Sequence, residues 1–134
     1  METSPRPVPW VALWVPLLAW MMVIYVGSSI PAGNLPGLFA VPGADKVAHL
    51  AEYGVLGFLA ARAMGRMTLE GTALLTVLAA TFALAYGLTD EVHQLFVPNR
   101  SFSIHDLAAD VIGASIGAFI WVRGLRWRNL RWLW

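Results

Sequence analysis

The chain contains no cysteine, which excludes disulfides and thiolate metal sites. Charge is also scarce. Only 13% of its 134 residues are Asp, Glu, Lys or Arg, against roughly 25% in a soluble domain. No charged residue occurs between Arg6 and Asp45. What is present in quantity is apolar: 58% of the residues are hydrophobic. This composition argues against a soluble domain and for an all-α, polytopic membrane protein. A spanning helix needs roughly 20 residues, so four helices with short loops account for the whole length. One transmembrane domain over residues 1–134 is expected.

Two spans are plain from hydropathy. Residues 8–26 are long and uncharged, and 71–88 carry charge only at the flanks, Glu70 and Asp90. The Gly- and Pro-rich stretch after residue 27 argues against continuing the first helix. Two spans are weaker. Residues 47–64 include His49, Glu52, Tyr53 and Arg62, and the first turns of 104–122 hold His105, Asp106 and Asp110. A cleaved signal peptide is the competing reading of the N-terminus, supported by Arg6 and by the small residues Gly27, Ser28 and Ser29. The apolar run is longer than the roughly 7–15 residues of a signal-peptide core. It also holds Trp10, Trp14 and Trp20. A membrane span is the better reading.

Four spans sort the charges. One side receives Arg6, Arg62, Arg66, Arg123, Arg126, Arg128 and Arg131, and the other only Lys46 and Arg100. Basic residues in short segments mark the cytoplasmic side, so a four-helix transmembrane bundle with both termini cytoplasmic is expected. The tail 123–134, rich in Arg and Trp, reads as an interfacial anchor, and nucleic-acid binding is not expected of it. The acids are distributed the other way. Asp45, Glu52, Asp90, Glu91, Asp106 and Asp110 lie on the outer side, and only Glu2 and Glu70 inside.

Three blocks carry this outer polarity: Asp45–Tyr53, Thr89–Gln94 and Arg100–Asp110. An up-down bundle brings the start of the second helix, the end of the third and the start of the fourth to one face. Helical spacing puts Asp45, His49, Glu52 and Tyr53 on one side of a helix, and does the same for Asp90, His93 and Gln94. Asp106 and Asp110 continue in register into Gly113 and Gly117, a small-residue stripe suited to close helix contact in lipid. Ionisable residues inside a membrane are functional candidates. The structural alternative is that Lys46 and Arg100 pair with nearby acids to hold the loops, and that Asp106 caps the fourth helix.

The candidate binding residues are Asp45, Lys46, His49, Tyr53, Asp90 and Glu91, together with Gln94, Arg100, Ser103, Asp106 and Asp110. Catalytic candidates are His49, Asp90, Glu91 and Asp106, as groups able to transfer protons. Metal-ligand candidates are His49, Glu52, Asp90, His93, Asp106 and Asp110, and a divalent cation is the cofactor this donor set admits. His49-x-x-Glu52 is not an H-E-x-x-H motif, and neither Ser101 nor Ser103 sits in a G-x-S-x-G elbow.

The combined pattern resembles the VanZ-like family. It consists of Asp45-Lys46-x-x-His49-x-x-x-Tyr53, then Asp90-Glu91-x-x-Gln94 with Pro98 and Arg100. The third part is Ser103-x-x-Asp106-x-x-x-Asp110-x-x-Gly113-x-x-x-Gly117. It covers residues 40–122. Position 110, often Asn in the family, is Asp here, which adds a charge. Glu52 and His93 lie outside the pattern. The family takes its name from a protein associated with teicoplanin resistance. The resemblance implies a bacterial cell-envelope role in the cytoplasmic (inner) membrane, without specifying a reaction.

Two function classes follow. In the first, an extracytoplasmic polar crevice binds a lipid-linked cell-wall precursor, a lipid headgroup or a lipophilic glycopeptide, with membrane lipids as general partners. In the second, the protein is a membrane enzyme, metal-assisted or not, acting on a lipid-borne phosphate or ester. An oligomeric transporter is a weaker third reading, because four helices are few for an inverted-repeat transporter. The sequence leaves open whether the protein is an enzyme and whether it forms homo-oligomers.

Overall fold

The computed structural model describes residues 8–37, 41–65 and 72–125. Among them are four α-helices and no strand: α1 (Trp10–Ser28), α2 (Ala44–Met64), α3 (Thr72–Gln94) and α4 (Ile104–Ile120). A short 3₁₀ turn (Ala32–Asn34) follows α1, and a π-helical segment (Trp121–Leu125) extends α4. The expected helices are all present, with shifted bounds. α3 runs past residue 88 to Gln94, so Asp90, Glu91, His93 and Gln94 are helical. An i,i+4 hydrogen bond from Gln94 Nε2 to Asp90 Oδ2 (3.1 Å) supports these last turns.

The helices alternate in direction. The end of α1 meets the end of α3 through Ser28 and Asp90, and the start of α2 meets the start of α4 through Lys46 and Asp106. α2 packs against the other three helices, most extensively against α4. Glycine makes that contact intimate. A Cβ on Gly57 would collide with the backbone of Ala114, and one on Gly117 with the carbonyl of Gly54. A Cβ on Gly113 would strike the carbonyl of Leu50. Dispersion drives association where lipid removes the hydrophobic difference, and it requires such close approach. The Gly113/Gly117 stripe is thus used within the chain, against α2.

α1 is held by side-chain bonds to backbone carbonyls. Pro16 lies inside the helix and has no N–H to offer the carbonyl of Ala12. Arg62 of α2 fills that gap, its Nη1 donating to Ala12 O at 3.0 Å. Trp20 Nε1 donates to Glu52 O (2.8 Å), and Tyr86 Oη donates to Met21 O (2.6 Å).

The outside of the bundle is apolar. Val11, Val15, Leu18 and Met22 of α1 are exposed, as are Leu74, Val77 and Leu88 of α3, and Ile112, Ile116 and Phe119 of α4. Exposed apolar surface on this scale marks an interaction with something other than water. Three helices are long and apolar enough to cross a membrane: Trp10–Ser28, Ala73–Gln94 and Ile104–Gly124. α2 falls below that mark because its polar residues lower the average. Two of them face inward, however: His49 and Tyr53 are buried, whereas Val47, Leu50 and Val55 are exposed.

Arg62 and Arg123 sit at the ends of α2 and α4, opposite the acids. Arg6, Arg66, Arg126, Arg128 and Arg131, and with them most of the anchor assigned to 123–134, lie outside the described residues.

The Arg62–Pro16 relation makes a stability prediction. Arg62→Leu should cost about 1–3 kcal/mol by stranding a buried carbonyl. In a Pro16→Ala background, which restores the helical N–H, that cost should shrink toward zero. Unfolding in mixed micelles measures both. Equal costs in the two backgrounds would show that Arg62 acts elsewhere.

Candidate functional site

The polar residues converge at one end of the bundle, where α1 and α3 end and α2 and α4 begin. The local sequence explains the approach. Gly43 precedes α2 with φ +84°, a left-handed conformation that glycine adopts without strain. Ser103 precedes α4 and caps it, its Oγ accepting from the Asp106 N–H at 3.2 Å. The cap on α4 is therefore Ser103, which leaves the Asp106 carboxylate for other contacts.

Those contacts cross from helix to helix. Lys46 Nζ pairs with Asp106 Oδ1 and with its neighbour Asp45 (2.8 Å). His49 Nδ1 lies 2.9 Å from Asp110 Oδ1, and His49 Nε2 is 3.9 Å from Asp106 Oδ2. Glu91 of α3 accepts the Ser103 N–H on Oε2 at 2.6 Å. Asp90 accepts from Ser28 Oγ (2.6 Å) and from Gln94. The hydrogen bond from Lys46 holds the Asp45 carboxyl below its ordinary pKa. Burial pulls the Lys46 ammonium down, but the hydrogen bonds to Asp106 and Asp45 outweigh it and leave its pKa raised.

A cavity of about 570 Å³ lies above this cluster. Lys46, His49 and Asp106 line its base, and Gln94, Ser103 and Arg100 line its side. Leu35, Pro36, Gly37 and Pro42 contribute from the α1–α2 connection, and Asn99 and Ser101 from the α3–α4 loop. The two loops are tied together: Arg100 Nε donates to Ile30 O (3.1 Å) and Ala32 N to Pro98 O (3.4 Å). Asn99 takes φ +60°, which Asn tolerates better than most residues. A second compartment of about 260 Å³ adjoins the first, sharing His49, Gln94 and Arg100 and reaching Ser28, Glu52 and Asp90.

The sequence-selected residues thus fall into groups. Lys46, His49, Glu91, Ser103, Asp106 and Asp110 form one connected cluster. Asp90, Gln94 and the half-buried Glu52 border the second compartment. Asp45 sits at the rim. Tyr53 is fully buried, its ring stacked 6.3 Å from that of His49. His93 stands apart: its Nε2 is 3.0 Å from Ser29 Oγ, and its ring centroid lies 4.6 Å from that of Tyr25.

Three buried polar atoms of this region make no hydrogen bond among the described residues: Tyr53 Oη, Glu91 Oε1 and Asp110 Oδ2. Space for the last comes from Gly87, where a Cβ would stand 2.9 Å from it.

The profile of the VanZ/LLP1 family matches residues 12–127. The chain belongs to the VanZ/LLP1 family. Family membership and the apolar helices together identify a membrane protein. No curated protein and no solved structure matches the chain.

In this VanZ/LLP1 protein two site contributions escaped the sequence reading. Ser28 and Ser29 close the first apolar run on the same face as the acids, and that placement was the available signal. Gly87 precedes Asp90 and Glu91 by three and four residues, so it shares their helix face.

Removing Ser28 tests the α1–α3 tie. A hydrogen bond to a charged group contributes about 1.5–3 kcal/mol, and Ser28→Ala should lose an amount in that range. Unchanged unfolding in mixed micelles would show that Asp90 is held without it.

Proposed function

We propose that this protein is a four-span protein of the bacterial cytoplasmic membrane, with both termini cytoplasmic and the polar cavity on the outer side. The cavity binds the anionic headgroup of an envelope amphiphile: a lipid-linked cell-wall precursor, a phospholipid or a lipophilic glycopeptide. The observation that carries this reading is the cavity itself, where Arg100 and Lys46 line a space of about 570 Å³ at the end of an apolar bundle. Arg100 uses Nε on Ile30 O, and its two terminal nitrogens make no hydrogen bond among the described residues. A guanidinium so placed suits a phosphate or carboxylate. The acids and Gln94 would receive amino and hydroxyl groups.

α2 is the fourth span in this reading. Its outward residues Val47, Leu50 and Val55 are as apolar as those of its neighbours, and its polar residues are screened by the other helices. The Arg residues counted on the far side support cytoplasmic termini.

A second reading, a membrane enzyme acting on a lipid-borne phosphate or ester, is favoured by one feature. With Asp110 ionised, it accepts the Nδ1 proton of His49 and leaves the Nε2 lone pair on the Asp106 side. That is the arrangement of an oriented general base. Turnover of a polyprenyl phosphate or phospholipid by the purified protein, abolished in His49→Gln, would establish it over simple binding.

Binding is tested in nanodiscs by native mass spectrometry, with an anionic phospholipid, a polyprenyl phosphate and teicoplanin as separate probes. Arg100→Gln should weaken the bound species about tenfold or more, the equivalent of one charged hydrogen bond. Equal binding by wild type and variant for all three probes would reject the reading.

Topology is tested on the cysteine-free background. A cysteine at Phe96 should react with a membrane-impermeant maleimide in intact cells. One at Arg131 should react only after permeabilisation. The reverse pattern would place the cavity on the cytoplasmic side.

A further inference from the structure

The cluster beneath the cavity has a feature that headgroup binding does not account for. Six acids and two basic residues were assigned to this side from sequence, a balance that repels an anion. Among the described residues, one group has the geometry to reverse that sign. His49, Glu91 and Asp106 each present one ligand atom, and the three atoms lie within 4.8 Å of one another. They come from α2, α3 and α4, so the fold and not a local loop assembles them.

Two further observations separate this group from an ordinary collection of acids. First, Glu91 is fully buried, with Oε2 on the Ser103 N–H and Oε1 without any hydrogen bond among the described residues. A buried oxygen left this way costs free energy unless something in the site satisfies it. Second, His49 is oriented from behind. Asp110, 1% exposed, lies with Oδ1 2.9 Å from Nδ1, and Nε2 faces Asp106 Oδ2 at 3.9 Å. A carboxylate behind a histidine whose other nitrogen faces a second carboxylate is the arrangement that surrounds histidine-bound metals.

We propose that His49 Nε2, Asp106 and Glu91 bind a divalent transition-metal cation of the Zn²⁺/Mn²⁺ class at the base of the cavity, with Asp110 as the positioning residue. One imidazole and two carboxylates suit that class. Ligand bonds near 2.1 Å put neighbouring ligand atoms about 3.0–3.4 Å apart. The His49–Asp106 separation of 3.9 Å therefore closes by about 0.5–0.9 Å on binding. Three protein ligands leave coordination positions open on the cavity side. Those positions would accept a phosphate or carboxylate oxygen of the headgroup, alongside Arg100. Lys46 occupies Asp106 Oδ1, the oxygen turned away from His49, and so supplies a positive charge close to the ion.

The inference rests on reading this end of the bundle as a ligand site, and its test is independent of any lipid. The full chain in phosphatidylcholine nanodiscs, stripped with chelator, is titrated with Zn²⁺ by calorimetry and with Mn²⁺ by electron paramagnetic resonance. One ion per chain is expected. His49→Gln and Glu91→Gln should each weaken binding at least about tenfold, and Asp110→Asn by about 10–100-fold. His93→Gln, a histidine at the same end but outside the group, should leave it unchanged. Lys46→Met should tighten it about tenfold or more, because a unit charge a few ångströms from the ion is removed. That gain is one a merely structural cluster would not show.

Circular dichroism checks each variant. If Glu91→Gln does not fold, the His49→Gln and Lys46→Met results decide. No stoichiometric binding, or equal loss in His93→Gln, overturns the proposal. Headgroup binding that persists in chelator overturns the bridging role of the ion but leaves the binding reading intact. Metal binding without any headgroup binding does the opposite.

Discussion

The backbone-to-backbone contact of α2 with α4 is the constraint on which the rest depends. Gly57 of α2 lies against the Ala114 backbone, and Gly113 and Gly117 of α4 lie against the carbonyls of Leu50 and Gly54, each with no room for a Cβ. That approach sets the register between the helices. One or two turns toward the polar end, the same register places Lys46 on Asp106 and His49 on Asp110. A bulkier interface would move the helices apart and separate both pairs. The glycines carry no functional group of their own, yet they determine the geometry of the groups beside them.

The arrangement also explains how an apolar bundle tolerates so many charges. Isolated charges in a low-dielectric interior are costly, and pairs relieve that cost only with good geometry and further hydrogen bonds. Here most acids have partners: Asp90 has Ser28 and Gln94, Asp106 has Lys46, Asp110 has His49, and Glu91 has the Ser103 N–H. Apart from the half-buried Glu52 carboxylate at the second compartment, the exceptions among the described residues are single buried atoms, Glu91 Oε1 and Asp110 Oδ2. They belong to the same three-helix cluster that borders the cavity. A scaffold held only by its ion pairs has no need of such exceptions.

Much of this was legible in the sequence, for identifiable reasons. Asp106, Asp110, Gly113 and Gly117 repeat at helical spacing, so a single face had to carry both the acids and the packing stripe. The asymmetry of arginine and acid predicted that the three polar blocks share one end. Other features were not legible. The role of Arg62 depends on a distant partner, the Ala12 carbonyl left bare by Pro16, 50 residues earlier in the chain. In the sequence the serines at 28 and 29 register only as small residues, of the kind a signal-peptide boundary also carries. The hydropathy of α2 is low because averaging along the chain mixes its inward polar face with its outward apolar one.

The sequence by itself determined that this is a helical membrane protein with its polar chemistry at one end, because hydropathy and charge sidedness are properties of residues and their spacing. It also nominated a set of polar side chains, but as a set without internal structure. Only the tertiary structure decided which of them meet. It joined His49 to Asp110 and Lys46 to Asp106, brought Glu91 to His49 and Asp106, and left His93 with Ser29 and Tyr25. The reason is physical. Partnership across helices depends on their relative rotation and register, which are set by where glycines allow backbones to touch, and spacing along a single helix carries no information about that.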